Sequence, residues 1–203
     1  MKDKKIKRIA IEGGEGVGKS TLINSLKEEF KDAIFVKEPW EGSSVNNRIQ
    51  DWRDGKLDLD EIEQTKMMAV SRSELNNQVV IPEIDKGNVV FFDRSIISNL
   101  VYQMIDEELS RNDILNINIE EDENFTIPDL CVIIDGDPRQ IQDRLTSSGR
   151  ELDAIDSKPI EYHHQVREGF LSLTLNFPCE FLILSAFDPV EKQVEKIKEK
   201  LLK

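Results

Sequence analysis

The sequence is poor in the residues that staple or anchor a small protein. It has two cysteines and two histidines among 203 residues. Cys131 and Cys179 lack the paired spacing of a metal site and lie in or beside apolar runs, so they read as buried thiols in a reducing compartment. His163 and His164 face no nucleophile or metal set and read as helix-surface residues. Positive charge is short as well: 27 Lys and Arg against 40 Asp and Glu leave a formal net charge of −13. Such a surface repels nucleic acid and anionic membrane, so neither is an expected partner. A polyanionic ligand would need a local basic island. No apolar run approaches the roughly 18 residues of a membrane span. The basic start MKDKKIKR is not followed by an apolar core of signal-peptide length, and the expected location is cytoplasmic. The length suits one domain over residues 1–203, and there are no repeats or linker-like stretches.

Five short apolar runs read as strands: KRIAIEG, AIFVKEP, NVVFFDR, LCVIIDGDP and EFLILSA. Each is rich in Val, Ile or Phe and bounded by Gly, Pro or charge, the look of strands buried on both faces of a parallel sheet. Helical patterns separate them. The last, PVEKQVEKIKEKLLK, places Val190, Val194, Ile197 and Leu201 on one face. Alternation of strand and helix predicts an α/β fold, a five-stranded parallel sheet with helices on both faces. The acidic, unpatterned segment NINIEEDENFT at 116–126 reads as a solvated loop.

Between the first strand and first helix, Gly13, Gly18, Lys19 and Ser20 satisfy G-x-x-x-x-G-K-[ST]. Glycines let backbone N–H groups turn inward around phosphate oxygens, and the helix N-terminus adds partial positive charge. The spacing makes Gly13, Gly14, Glu15, Gly16, Val17, Gly18, Lys19, Ser20 and Thr21 a nucleotide-binding set. Lys19 is to reach the β- and γ-phosphates of ATP, and the Ser20 hydroxyl to ligate Mg²⁺. Glu15 would repel a triphosphate if it pointed inward. It points outward, either to solvent or to the hydroxyl of a second ligand.

The loop alone leaves a kinase, a switch and a motor open. No guanine-reading N-K-x-D and no L-S-G-G-Q signature is present. The strand NVVFFDR ends instead in Asp93-Arg94, and strand carboxyl ends line the ligand crevice of a parallel sheet. Asp93 can hold the Mg²⁺ shell and Arg94 can neutralise phosphate; the plainer alternative is a helix-capping Asp beside a salt-bridged Arg.

Seven motifs, in order along nearly the whole chain, resemble the thymidylate kinase family: IEGGEGVGKST, KEP (37–39), MMAVSRSELNNQVVIPEIDKGNVVFFDR, SNLVYQ (98–103), PDLCVIIDGDP (128–138), GRELDAID (149–156) and EYHHQVREGFLSL (161–173). The resemblance implies a P-loop kinase fold with a lid at about 144–160, and transfer of the ATP γ-phosphoryl group to dTMP with Mg²⁺. It further implies a homodimer. Glu15 then accepts from the sugar 3′-hydroxyl. Arg72 lies on the acceptor side, Asn99 and Gln103 pair with the pyrimidine edge, and Tyr102 packs on the deoxyribose. Glu38 and Arg94 complete the acceptor set. In such enzymes a catalytic arginine comes from the phosphate loop or from the lid. Position 16 is glycine here, so the charge is assigned to the lid, to Arg150 first and Arg144 second, beside Lys19 and Arg94.

The chain departs from the pattern at the acceptor. Met68 stands where the family places a ring-stacking Phe, Ser95 where it places an aromatic or His, and Ala154 where it places a lid Arg. Trp40 is large for its turn and reads as a core residue, with ring stacking as the alternative. Arg48 aligns with a phosphate-binding Arg only across a gap. A broader acceptor range, including dUMP or a modified pyrimidine, therefore stays open. So do a deoxynucleoside kinase using Glu38 as base and an acceptor-free regulatory ATPase.

Overall fold

The computed structural model describes residues 5–105, 109–147, 149 and 155–202. The five runs form the strands β1 (Arg8–Glu12), β2 (Ile34–Lys37), β3 (Val90–Asp93), β4 (Leu130–Asp135) and β5 (Glu180–Ser185). They make one parallel sheet in the order β2-β3-β1-β4-β5. The helices are α1 (Lys19–Glu29), α2 (Asn46–Arg53), α3 (Glu61–Leu75), α4 (Ile81–Asp85), α5 (Ile96–Ile105), α6 (Arg111–Glu121), α7 (Pro138–Ser147), α8 (Ile160–Asn176) and α9 (Val190–Leu201).

The alternation of side chains across each strand sorts the core onto two faces. Ile9 and Ile11 of β1, with Leu130, Val132 and Ile134 of β4, meet Leu22 and Leu26 of α1 and Val194 and Ile197 of α9. Cys131 and Ile133 point the other way, to Leu100 and Val101 of α5 and Val166, Phe170 and Leu173 of α8. Cys179 is only half-buried, because it precedes the edge strand β5.

Three local features depart from the simple pattern. A five-residue π-helical turn, Asn76–Val80, joins α3 to α4. Pro82 follows at the start of α4 and cannot donate to the preceding turn, which explains why regular helix gives way there. Trp40 packs with Leu75, Val80 and Phe92 and its backbone N–H donates to Ser71 Oγ at 2.9 Å, so it is a packing residue. The third concerns the segment expected as a loop at 116–126. Its first half is the end of α6, and Asn118 and Asp122 are buried. A capping box of Ser110 and Asp113 starts this helix. Glu120, Glu121 and Glu123 are exposed as expected, but Asp122 accepts from Asn76 Nδ2 at 2.7 Å and Asn77 Nδ2 at 3.2 Å, and Asn118 accepts from Arg72. Composition alone hides such a buried polar network.

At the carboxyl end of β1, Glu12 is fully buried and accepts from Ser95 Oγ at 2.7 Å and Ser98 Oγ at 2.6 Å. Burial raises its carboxyl above the ordinary glutamate value, opposed by the two serine bonds and by Arg94. Ser95 also accepts the Ile97 N–H at 3.2 Å, which starts α5. A phenylalanine at position 95 could do neither. Ser95→Ala is expected to cost about 1–3 kcal/mol by leaving a buried carboxylate oxygen unpaired. The raised pKa means that the folded state binds the proton more tightly, so this deficit shrinks as pH falls. Urea denaturation at neutral and mildly acidic pH measures both effects.

Candidate active site

The carboxyl ends of β1, β2, β3 and β4 meet at one edge of the sheet, and the phosphate loop rises from β1. Gly13 sits at φ 138°, and a Cβ there would come within 2.6 Å of the Ile134 carbonyl oxygen. The loop therefore lies flat on β4. Gly16 sits at φ 71°, and a Cβ there would meet Leu145 at 2.6 Å and Ile141 at 2.8 Å, both on α7. A side chain here would have to displace the tips of Leu145 and Ile141 and bear the left-handed backbone, so glycine is the residue this turn favours. Gly14 and Gly18 complete the curl, Val17 turns into the core, and Lys19 opens α1 with the exposed Ser20 and Thr21 in its first turn.

Lys19 Nζ lies inside the curl and donates to the carbonyls of Gly13 at 2.9 Å and Gly14 at 2.6 Å. Burial, helped by Arg94 and opposed by Glu15, Glu12 and Asp93, lowers its pKa to about 8. The lysine is held where its charge is poorly solvated, which raises its affinity for an anion.

Arg94 follows β3 with φ 67°, a left-handed conformation that a non-glycine residue adopts at a cost of about 1–3 kcal/mol. That turn aims the guanidinium back across the loop. Its Nη2 donates to Glu15 and its Nη1 to Ser98 Oγ at 3.1 Å and the Tyr102 hydroxyl at 3.4 Å. Tyr102 donates in turn to Glu15 Oε1 at 3.0 Å. Burial alone would raise the Glu15 carboxyl, but Arg94 and Lys19 outweigh it and hold its pKa below the usual value. Glu15 is thus ionised and faces away from the curl.

Beside this cluster opens a cleft of about 1130 Å³. Two helical stripes form its walls, each with residues four apart on one face. Gln64, Met68 and Arg72 of α3 make one, and Asn99 and Gln103 of α5, after Ser95, make the other. Gln103 Nε2 donates to Gln64 Oε1 at 3.5 Å, linking the two walls. Arg72 Nε donates to the buried Glu38 Oε2 at 2.8 Å. Burial raises the Glu38 carboxyl while Arg72 opposes it. This carboxylate is engaged, which disfavours it as a general base. Asn99 is buried, and its Oδ1 has no hydrogen-bond partner among the described residues. An unpaired buried amide oxygen beside a cleft marks a place for a ligand donor.

The sequence reading overlooked the end of α2. Trp52 and Arg53 line the cleft, Arg53 at its exposed mouth, whereas Arg48, the aligned arginine, is not among the lining residues and lies 4.0 Å from Glu63. Arg53 has no ion-pair partner among the described residues. Partial burial and the field of Arg94 lower its pKa, opposed by Glu15. A signal was available: Arg53 lies five residues after Arg48, further along the same helix. Ile155, Lys158 and Tyr162 line the cleft from the lid side. Arg150 and Ala154 lie outside the described residues. Arg144 is exposed and donates to the carbonyls of Gly16 and of Ala186, the latter at 2.9 Å. It braces the loop from outside. A second cavity of about 590 Å³ under the loop is lined by Asp135 and Arg167. These form a bidentate pair at 2.6 and 2.9 Å, within motifs quoted above but not singled out there. His163 lines the same cavity and is half-buried with His164.

The donors available for Mg²⁺ are hard oxygens, the Ser20 hydroxyl and the Asp93 carboxylate at the end of β3, which suits that ion. Among the described residues no group of three or more His, Cys, Asp or Glu could hold a metal unaided. The pair therefore fits a cation that arrives with nucleotide phosphates.

Comparison with known proteins agrees with this architecture. The family model described as Thymidylate kinase matches residues 11–197. A thymidylate kinase of Chlamydia felis is 32% identical over 93% of this chain and 94% of its own length. One from Caldanaerobacter subterraneus is 31% identical over 97% of each, and one from Anoxybacillus flavithermus 31% over 93% and 92%. The chain belongs to the thymidylate kinase family.

Proposed function

We propose that this protein transfers the γ-phosphoryl group of ATP to dTMP, giving dTDP and ADP. The observation that carries the reading is the position of Glu15. It belongs to the phosphate loop, yet it faces the cleft and joins the Arg94–Tyr102 cluster. A loop built for nucleotide hydrolysis alone has no use for an ionised carboxylate facing away from its nucleotide.

In this reading dTMP lies between the two stripes. Asn99, Gln103 and Arg72 meet the polar edge of the base, Met68 its face, and Tyr102 and Glu15 the sugar. Arg94 and Arg53 meet the monophosphate; Arg53 is a cation without an ion-pair partner among the described residues. An oxygen of that phosphate, already ionised at neutral pH, attacks the γ-phosphorus. The new P–O bond forms as the β–γ bridging bond breaks and ADP leaves. Lys19 and Arg94 neutralise the charge on the transferred group, and a lid arginine, Arg150, adds to this. Ser20 and Asp93 would hold Mg²⁺ together with the nucleotide phosphates, and the ion would supply further charge neutralisation there. The lid at about 144–160 excludes water. The chain acts as one nucleoside monophosphate kinase domain, in the cytoplasm. It pairs as a homodimer through helices, a view supported by the exposed Ile62 and Ile119 on α3 and α6.

Three outcomes test this. Coupled ADP release against a panel of deoxynucleoside monophosphates should show a pyrimidine, dTMP foremost, accelerating turnover; ATP turnover indifferent to every monophosphate would mean an acceptor-free ATPase. Arg53→Gln should raise the KM for dTMP at least tenfold while the KM for ATP stays unchanged, and Arg53→Lys should recover part of the loss. An equal effect on both substrates would remove Arg53 from the acceptor site. Because Lys19 loses its proton near pH 8, kcat/KM for ATP should fall as pH rises through that value. A profile flat to pH 9.5 would contradict this.

A further inference from the structure

We infer that Trp52 is the ring that covers the face of the acceptor base, in the place of a ring on α3. This rests on the acceptor being a pyrimidine monophosphate. Position 68 holds a methionine, whose thioether is flexible and reads a ring face loosely. The aromatic side chains that line the described cleft are Trp52, Tyr102 and Tyr162. Two of these are engaged elsewhere. Tyr102 spends its hydroxyl on Glu15 and meets Phe170 edge-on at 6.3 Å between centroids. Tyr162 lies under the Lys158 ammonium at 4.9 Å and edge-on to His163.

Trp52 differs from both. It packs beside Met68 in the apolar cluster of Ile49, Leu59 and Met67, and is half-buried. Its position is held by the end of α2. Gly55, at φ 70°, turns the chain and donates to the Trp52 carbonyl at 3.0 Å, while the Lys56 and Leu57 N–H groups donate to Asp51 at 2.8 and 3.2 Å. The next residue is Arg53. Neighbours on a helix diverge by about 100°, so one fixed turn presents a ring and a guanidinium to the same cleft in different directions. A nucleotide has this shape: a flat base at one end and an anion at the other. Stacking on indole tolerates different substituents because every base offers a π-face. The wall of Trp52 and Met68 therefore accepts variation at the pyrimidine ring more readily than a single rigid ring would.

The chain has two tryptophans, and Trp40 is packed away from the cleft. The test follows tryptophan fluorescence of the full chain as dTMP is added without ATP. A saturable change is expected in the wild type and its loss in W52F. Steady-state kinetics then compare substitutions. W52F should hold the KM for dTMP within about threefold, while W52L, apolar but without a ring, should raise it tenfold or more and leave the KM for ATP unchanged. W52L matching W52F, or W52F keeping the wild-type fluorescence change, overturns the inference while dTMP turnover stands. A wild type that turns over no pyrimidine monophosphate overturns the function proposed above and this inference with it.

Discussion

The contact between Glu15 and Arg94 is the constraint on which the site depends. One partner rides on the loop after β1 and the other on the turn after β3, neighbouring strands of the sheet. Arg94 reaches its partner only through a left-handed backbone that costs free energy. Around the pair, Tyr102 and Ser98 fix the guanidinium, and Glu12 fixes Ser98. Electrostatics then sort the charges. The Glu15 carboxylate is kept ionised, Arg94 is held protonated, and Lys19, left with a depressed pKa, is the cation most in need of an anion. Phosphate loop and acceptor cleft are thereby one electrostatic unit.

The cleft itself follows from helical periodicity. Residues 64, 68 and 72 recur four apart on α3, as 95, 99 and 103 do across the start of α5. Two such stripes facing each other give a slot whose walls are amide, thioether and guanidinium. The Arg72–Glu38 pair then ties α3 to the end of β2, and Asn118 of α6 supports the same arginine from behind. Removing one member would leave a buried charge without its partner, a larger loss than the contact itself is worth.

Much of this was legible in the chain. The five strands, their parallel direction and the phosphate loop follow from apolar runs and a spaced motif, both local signals. The four-residue spacing of Asn99 and Gln103 is local too, whereas Met68 and Arg72 were placed by the family resemblance and Gln64 by neither. What escaped were long-range partnerships. The acidic run at 116–126 looked solvated because nothing local reveals that Asn118 and Asp122 meet Arg72, Asn76 and Asn77. Alignment across a gap pointed to Arg48 and passed over Arg53 because it counts residues, whereas the lining of the cleft depends on which turn of a helix reaches it. Trp40 reads as a core residue and packs as one, whereas nothing local singles out Trp52, whose place beside Met68 is set by how α2 meets α3.

Gly16 carries a consequence for how such an enzyme can change. The space its side chain would need is filled by Leu145 and Ile141, which line the cavity under the loop but not the acceptor cleft. A side chain at position 16 would meet the tips of those two residues first and would also have to bear a left-handed backbone. Any change in the loop there is therefore coupled to how α7 packs. The shape of a helix that touches no phosphate thus helps to decide which residues its neighbour, the phosphate loop, can carry.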